Sequence, residues 1–215
     1  MARPYIWLSI NIICVIWIIV EISLFWLKIN DMGDRHQFRA RWHDYNGGVY
    51  FITICCADKK HLFGEIRDNE LVFTECGHIA EGILKAIPKH FLQTEVWNYV
   101  IMPNHIHLLI RVEKSIDNDS IDNHGCIGVR KHIDNMYSDC HHNSRLAKII
   151  GQFKSTVTRE CRRVNPAFAW QSRFYDNIIT QHWEYVMVMN YIDNNVDRWE
   201  NDCFNPDKKM PTKFY

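Results

Sequence analysis

Apolar positions along this chain repeat with two different periods, and the places where the period changes divide it into elements. Val49 to Cys56 is a β-branched and aromatic run that follows the break at Gly47-Gly48 and predicts a central strand. Short strands around Glu65-Ile66 and Leu71–Thr74 flank a turn at Asp68-Asn69. A helix opens at Thr74 or Glu75 and runs to about His90, with Ile79, Ile83, Leu84 and Ile87 spaced for one buried face. Val96 to Met102 and Asn104 to Val112 then read as two strands folded about Pro103-Asn104. The helical period returns from Ser144 to Arg163, where Leu146, Ile149, Ile150, Phe153 and Val157 form a stripe. Trp170 to Ile179 supplies a last strand, and Gln181 to Arg198 a final helix with Tyr185, Val186, Val188, Met189 and Ile192 on its core face. The order β, α, β-hairpin, α, β, α predicts an α+β domain: an antiparallel sheet with helices packed mainly on one face.

Two stretches fall outside this pattern. Glu113 to Asn143 is rich in Asp, Asn, Ser and His without sustained periodicity, which predicts a mobile loop at about 113–143 rather than a second domain. Residues 5–29 form an apolar run, interrupted by Asn11 and Glu21, that is long enough for a transmembrane helix. It reads as a membrane anchor, as a helix docked on the domain, or as translated sequence upstream of a start at Met32. The last is preferred, giving an extension over 1–31 and a single domain over 32–215. On that reading the protein is cytoplasmic and nucleoid-associated, with membrane association only if the extension is real.

Composition changes the picture little. A chain of 215 residues with 47% hydrophobic and 23% charged residues suits one globular domain. Lys+Arg and Asp+Glu both number 25, so net charge carries no nucleic-acid signal, although local clustering still can. None of the eight cysteines forms a Cys-x-x-Cys pair, which argues against a thiolate zinc site and against a thioredoxin-like motif. Between Arg35 and Asn46, Arg35, His36, Arg39, Arg41 and His43 are interleaved with Phe38 and Trp42. That mixture suits either an arm contacting nucleic acid or a solvated lead-in to the first strand.

The candidate chemistry lies in Tyr99-Val-Ile-Met-Pro-Asn-His-Ile-His-Leu-Leu-Ile-Arg111. Residues two apart on a strand share a face, so His105 and His107 project from one side and Ile106 and Leu108 from the other. Paired neutral imidazoles on a rigid strand make the start of a divalent metal site. A half-polar strand with solvated histidines is the plainer alternative.

The segment Pro103-Asn104-His105-Ile106-His107-Leu108-Leu109 resembles the His-hydrophobic-His strand of single-tyrosine insertion-sequence transposases, and its flanks are most similar to the REP-associated tyrosine transposase branch. Tyr50–Cys56 leading to Leu62-Phe-Gly-Glu65 agrees, as do Trp170–Asp176 and Tyr191-Ile-Asp-Asn-Asn195 with Arg198-Trp199. Together these cover about residues 36 to 206. The resemblance implies a ferredoxin-like sheet, Tyr191 as nucleophile, and His105, His107 and Asn195 as ligands of Mg²⁺ or Mn²⁺, with no small-molecule cofactor. It places Lys154 near DNA, with Arg173 and Arg41 as further candidate contacts. It implies single-stranded DNA with hairpin structure as the partner, REP-like or from an element end; some relatives act as monomers and others as homodimers.

The chemistry implied is cleavage through a 5′-phosphotyrosine, followed by transfer of the strand without ATP. A tyrosine with an ordinary pKa of about 10 needs a cation's field or a base to lose its proton. Tyr185 and Tyr175 are the alternative nucleophiles. Many relatives have Pro after the second Asn where this chain has Val196, which bears on the geometry of the helix end. Two other classes stay open: a transposase-derived DNA-binding protein without cleavage, and a metal-dependent phosphodiesterase that uses water.

Overall fold

The computed structural model describes residues 40, 42–114 and 144–206. Arg41, the apolar N-terminal run and the predicted loop from residue 115 to 143 lie outside the described residues. Among those described, no helix is long and apolar enough to cross a membrane.

Six strands form: β1 Gly48–Cys55, β2 Gly64–Arg67, β3 Glu70–Phe73, β4 Thr94–Ile101, β5 His105–Val112 and β6 Tyr175–Ile179. The helices are α1 Glu75–Lys85, α2 Ile87–His90, α3 Arg145–Val164 and α4 His182–Asp193. The β2–β3 hairpin stands apart, and the main sheet runs β4-β5-β1-β6 with every neighbour antiparallel. Counting only the sheet's own strands, the chain order is β-α-β-β-α-β and the spatial order 2-3-1-4. This is the plaited, ferredoxin-like arrangement.

Alternation along β1 and β5 sorts their side chains onto two faces. Tyr50, Ile52 and Ile54 from β1 and Ile106, Leu108, Ile110 and Val112 from β5 join one core with Leu84 of α1 and Leu146, Ile149, Ile150, Phe153 and Val157 of α3. Phe51 and Leu109 point the other way and pack with Val188, Tyr191 and Ile192 of α4. Two long helices thus share one face and α4 covers the other. As a result β5 is enclosed on both sides, and seven of its eight residues are buried.

The helix starts follow their capping chemistry. Thr74 accepts from the Gly77 amide at the head of α1, and Ser144 accepts from the Ala147 amide at the head of α3. Gly77 allows α1 to approach the hairpin closely, since a Cβ there would lie 2.1 Å from the Phe63 carbonyl oxygen. The single helix predicted to His90 is broken: α1 stops at Lys85, and Pro88 enters the first turn of a separate α2. The predicted strand from Trp170 is also shorter. Trp170 makes one isolated bridge to Cys56, and regular pairing begins only at Tyr175.

Candidate active site

The polar face of β5 carries the site. His105 and His107 are fully buried, and their Nε2 atoms lie 3.0 Å apart. Register places Thr53 of β1 opposite His107, and the Thr53 hydroxyl lies 2.8 Å from His107 Nδ1. Asn104, in the turn before β5, holds His105 Nδ1 at 2.8 Å through its Oδ1. Phe51 stacks on the His107 ring and Phe204 packs against His105, with ring centroids 5.2 and 4.5 Å apart.

The hydrogen bonds fix one tautomer. The Asn104 Nδ2 donates to the Lys59 carbonyl at 3.1 Å and to the Phe204 carbonyl at 2.8 Å. Its Oδ1 must therefore face His105, and an amide oxygen only accepts. His105 carries its proton on Nδ1 and turns the lone pair of Nε2 toward His107. The Thr53 hydroxyl can donate or accept, so His107 is free to match either state. Without a cation, His107 donates from Nε2 to His105. With its proton on Nδ1 and given to Thr53, both Nε2 lone pairs are presented together.

Burial keeps both rings neutral. The pKa of His107 is pushed down to about 3, and that of His105 falls well below the usual histidine range, with His107 and Lys59 adding to the effect of burial. Neutral imidazole is the form that binds metal ions.

Tyr191 of α4 lies against this pair. It is 5% exposed, and its hydroxyl is 3.2 Å from His107 Nε2. Burial and the negative charge of Asp202 push its pKa upward, against a smaller opposing effect of a hydrogen bond with the Asn195 side chain. The Asn195 Oδ1 is buried and accepts no hydrogen bond among the described residues. Asp202, 7% exposed, brings a carboxylate oxygen within 4.8 Å of both histidine nitrogens.

These donors fit a divalent cation. Two imidazole nitrogens that can present their lone pairs together beside a buried carboxylate make a ligand set that one positive ion satisfies. A mixed nitrogen and oxygen set is compatible with Mn²⁺, Mg²⁺ or Zn²⁺.

No protein-family profile matches the chain. It is 29% identical over 170 residues to an uncharacterised protein of Haemophilus influenzae, covering 78% of this chain and 91% of that one. A second Haemophilus influenzae protein, provisionally named a REP-associated tyrosine transposase, is 24% identical over 179 residues, or 76% of this chain and 83% of the relative. Its match spans the segment that carries the paired histidines. The chain is thus similar to REP-associated tyrosine transposases over about three quarters of its length. Among solved structures, a REP-associated tyrosine transposase bound to a REP hairpin aligns with 16% identity and a TM-score of 0.49, covering 76% of this chain and 74% of that one. A Deinococcus radiodurans structure, provisionally called a transposase, aligns with 12% identity and a TM-score of 0.35, covering 75% and 95%.

The structure gathers His105, His107, Tyr191 and Asn195 at one place. Asn195 arrives there differently from the expectation. The helix predicted to Arg198 ends at Asp193, and Asn195 sits in the turns that follow, its amide donating to the Ile192 carbonyl at 3.3 Å. Asp202 was not foreseen. It stands beyond a run of turns whose path is set by tertiary contacts, and no spacing in the sequence marks it. Of the candidate DNA contacts, Lys154 donates to the carbonyls of Gln171 and Arg173 at 2.9 and 2.6 Å, and burial lowers its pKa to about 8. Arg173 is exposed and holds a left-handed backbone, φ 68°. Arg41 lies outside the described residues. Tyr185 lies six residues before Tyr191 on α4, and Tyr175 starts β6.

Proposed function

We propose that the protein cleaves and rejoins single-stranded DNA flanked by hairpins, as a single-tyrosine transposase. The observation that carries this reading is the Tyr191 hydroxyl at 3.2 Å from His107 Nε2, itself 3.0 Å from His105 Nε2. Tyr191 is the nucleophile. His105, His107 and Asn195 hold a divalent ion, Mg²⁺ or Mn²⁺, and Asp202 is added here as a further ligand. Similarity to a relative provisionally named a REP-associated tyrosine transposase supports DNA as the substrate class.

The ion would supply positive charge that draws the phenol toward ionisation and offsets charge developing on the phosphate oxygens. Until then, burial and Asp202 keep Tyr191 protonated and unreactive. The Tyr191 oxygen attacks the scissile phosphorus, a phosphotyrosine ester forms, and the 3′-oxygen leaves as a hydroxyl. A second 3′-hydroxyl later displaces the tyrosine and seals the new strand. Thr53 and Asn104 hold the two rings in place throughout. Lys154 and Arg173, on the turn before β6, contact phosphates of the incoming strand, Lys154 with the one N–H left after its two carbonyl bonds.

The test is a denaturing gel after incubation with single-stranded hairpin DNA and Mg²⁺ or Mn²⁺. The wild-type protein should leave a band shifted by DNA joined through its 5′-phosphate, and EDTA should abolish it. Tyr191→Phe should lose the adduct while keeping its fold. An adduct that survives in Tyr191→Phe would transfer the role to Tyr185 or Tyr175. Cleavage without an adduct would favour the water-using phosphodiesterase.

A further inference from the structure

A second feature lies on the same sheet face as the paired histidines, at the other end of α4. Strand β4 has a bulge: Val96 pairs with Ile110 and Asn98 with Leu109, so Trp97 is left without a partner in the ladder. A bulge puts one extra residue in the strand and resets which way its neighbours point. Val96 packs into the core beneath α1 and α3. Trp97 and Asn98 both reach the α4 side, Trp97 edge-on to Tyr185 at 5.5 Å between centroids and Asn98 through its Nδ2 to the Asp193 carboxylate at 2.7 Å. Trp97 is 38% exposed.

Trp97, His182, Tyr185, Gln181, Val49 and Ile179 line a cleft of about 460 Å³. That volume lies at the small end of ligand clefts, roughly 300–1,000 Å³. Its aromatic surfaces are held in fixed planes. The Trp97 Nε1 donates to Glu95 at 2.7 Å, the His182 ring stacks on Tyr185 at 5.9 Å, and the Arg111 guanidinium sits 6.0 Å over the indole. Arg111 is itself engaged by Glu95 and Glu113. Two carboxylates against one guanidinium do not make a phosphate site, whereas flat, fixed aromatic surfaces make a stacking site.

We infer that this cleft is a stacking slot for an unpaired DNA base, with Trp97 as the residue on which the base stacks. The inference rests on the proposed function for its substrate class and adds where a base beside the cleaved phosphate is held. Distance supports it. Tyr185 precedes Tyr191 by six residues, about 9 Å along the helix axis. Val49 is four residues from Thr53 on β1, about 13 Å along the strand. The slot therefore lies within one or two nucleotides of the Tyr191 hydroxyl along an extended strand, and Val49, Val188 and Ile192 pack in one cluster between them.

The test uses a DNA hairpin with unpaired flanks, carrying the fluorescent base 2-aminopurine at one flank position at a time. Tyr191→Phe protein keeps the DNA intact during the measurement. One position, or two adjacent ones, should be quenched on binding. Trp97→Leu should abolish that quenching and weaken binding roughly 5- to 150-fold, the loss expected for one base–aromatic stack. Trp97→Phe should retain most of both. An abasic nucleotide at the quenched position should weaken binding of the starting protein by the same factor and have no further effect on Trp97→Leu. Bound DNA with no quenched position, or quenching indifferent to Trp97→Leu, overturns the slot. Wild-type protein run in parallel for covalent adduct separates the two ideas. An adduct without quenching sinks the slot alone, quenching without an adduct sinks only the cleavage chemistry, and absence of any DNA binding sinks both.

Discussion

The two faces of β5 are equally buried and chemically opposite. Ile106, Leu108 and Ile110 meet α1 and α3 in a predominantly apolar core. One residue along, His105 and His107 face Thr53, Asn104, Tyr191 and Asp202. Burial alone therefore says little about what a position does. The apolar face holds the strand in place by excluding water. The polar face relies on that rigidity to keep two imidazoles, a phenol and a carboxylate close together away from water. Rigidity is made on one side and used on the other.

The sharpest way to break this comparison is to damage the apolar side. Leu108→Ala should cost about 2–5 kcal/mol of stability, read from urea unfolding, because it leaves a cavity in a close-packed core. The protein that remains folded should still bind Mn²⁺ as the wild type does. A parallel collapse of metal affinity would show that the two faces are not separable.

A smaller effect is expected on the polar side. Thr53→Val keeps the shape of the side chain and removes the hydroxyl that partners His107 Nδ1. Metal affinity should fall ~10- to 100-fold, the usual result of losing an outer-shell partner, with only a modest change in stability. Calorimetric titration with Mn²⁺ would measure it. Unchanged affinity would mean that Thr53 does not orient the ring.

A third effect is on pH dependence. Both histidines have folded pKa values lowered from the ordinary 6.5, to about 3 for His107. The unfolded chain therefore binds more protons than the fold at any pH between these values. Stability from this source is complete above about 6.5 and is lost as pH falls toward 3, by about 1.4 kcal/mol per pH unit for each ring. In EDTA, His105→Gln/His107→Gln should flatten that slope between pH 6 and 4. A slope unaltered by the double change would place the acid sensitivity elsewhere.

Much of this site was legible in the sequence, and the reasons are local. His105 and His107 share a face because a strand's period is two, and the turn at Pro103-Asn104 fixes where that strand begins. Tyr191 stood out through the resemblance, since nothing local separates it from the other tyrosines. Its partner Asn195 fell inside the helix predicted to Arg198, yet the helix has ended by Asn194 and the turns that follow deliver the side chain. The departure at Val196, where relatives carry proline, falls within those turns. Asp202 was illegible because its position depends on the chain folding back over His105, and no period records that. The same holds for the bulge at Trp97. Its neighbours Val96 and Asn98 read as ordinary strand residues, and only the pairing with β5 shows the slip. The fold class followed from the alternation of elements, while the break at Pro88 and the late start of β6 were matters of local packing.

The Asn104 amide joins His105 to backbone 45 residues earlier, at Lys59, and 100 residues later, at Phe204. A short hairpin peptide copied from Tyr99 to Arg111 would contain both imidazoles and neither of those carbonyls. Its amide would turn freely, the ring would exchange tautomers with solvent, and the lone pair would point nowhere in particular. The paired histidines are thus not a portable cassette. Transplanting them to another scaffold requires carrying over the two distant carbonyls that decide which nitrogen keeps the proton.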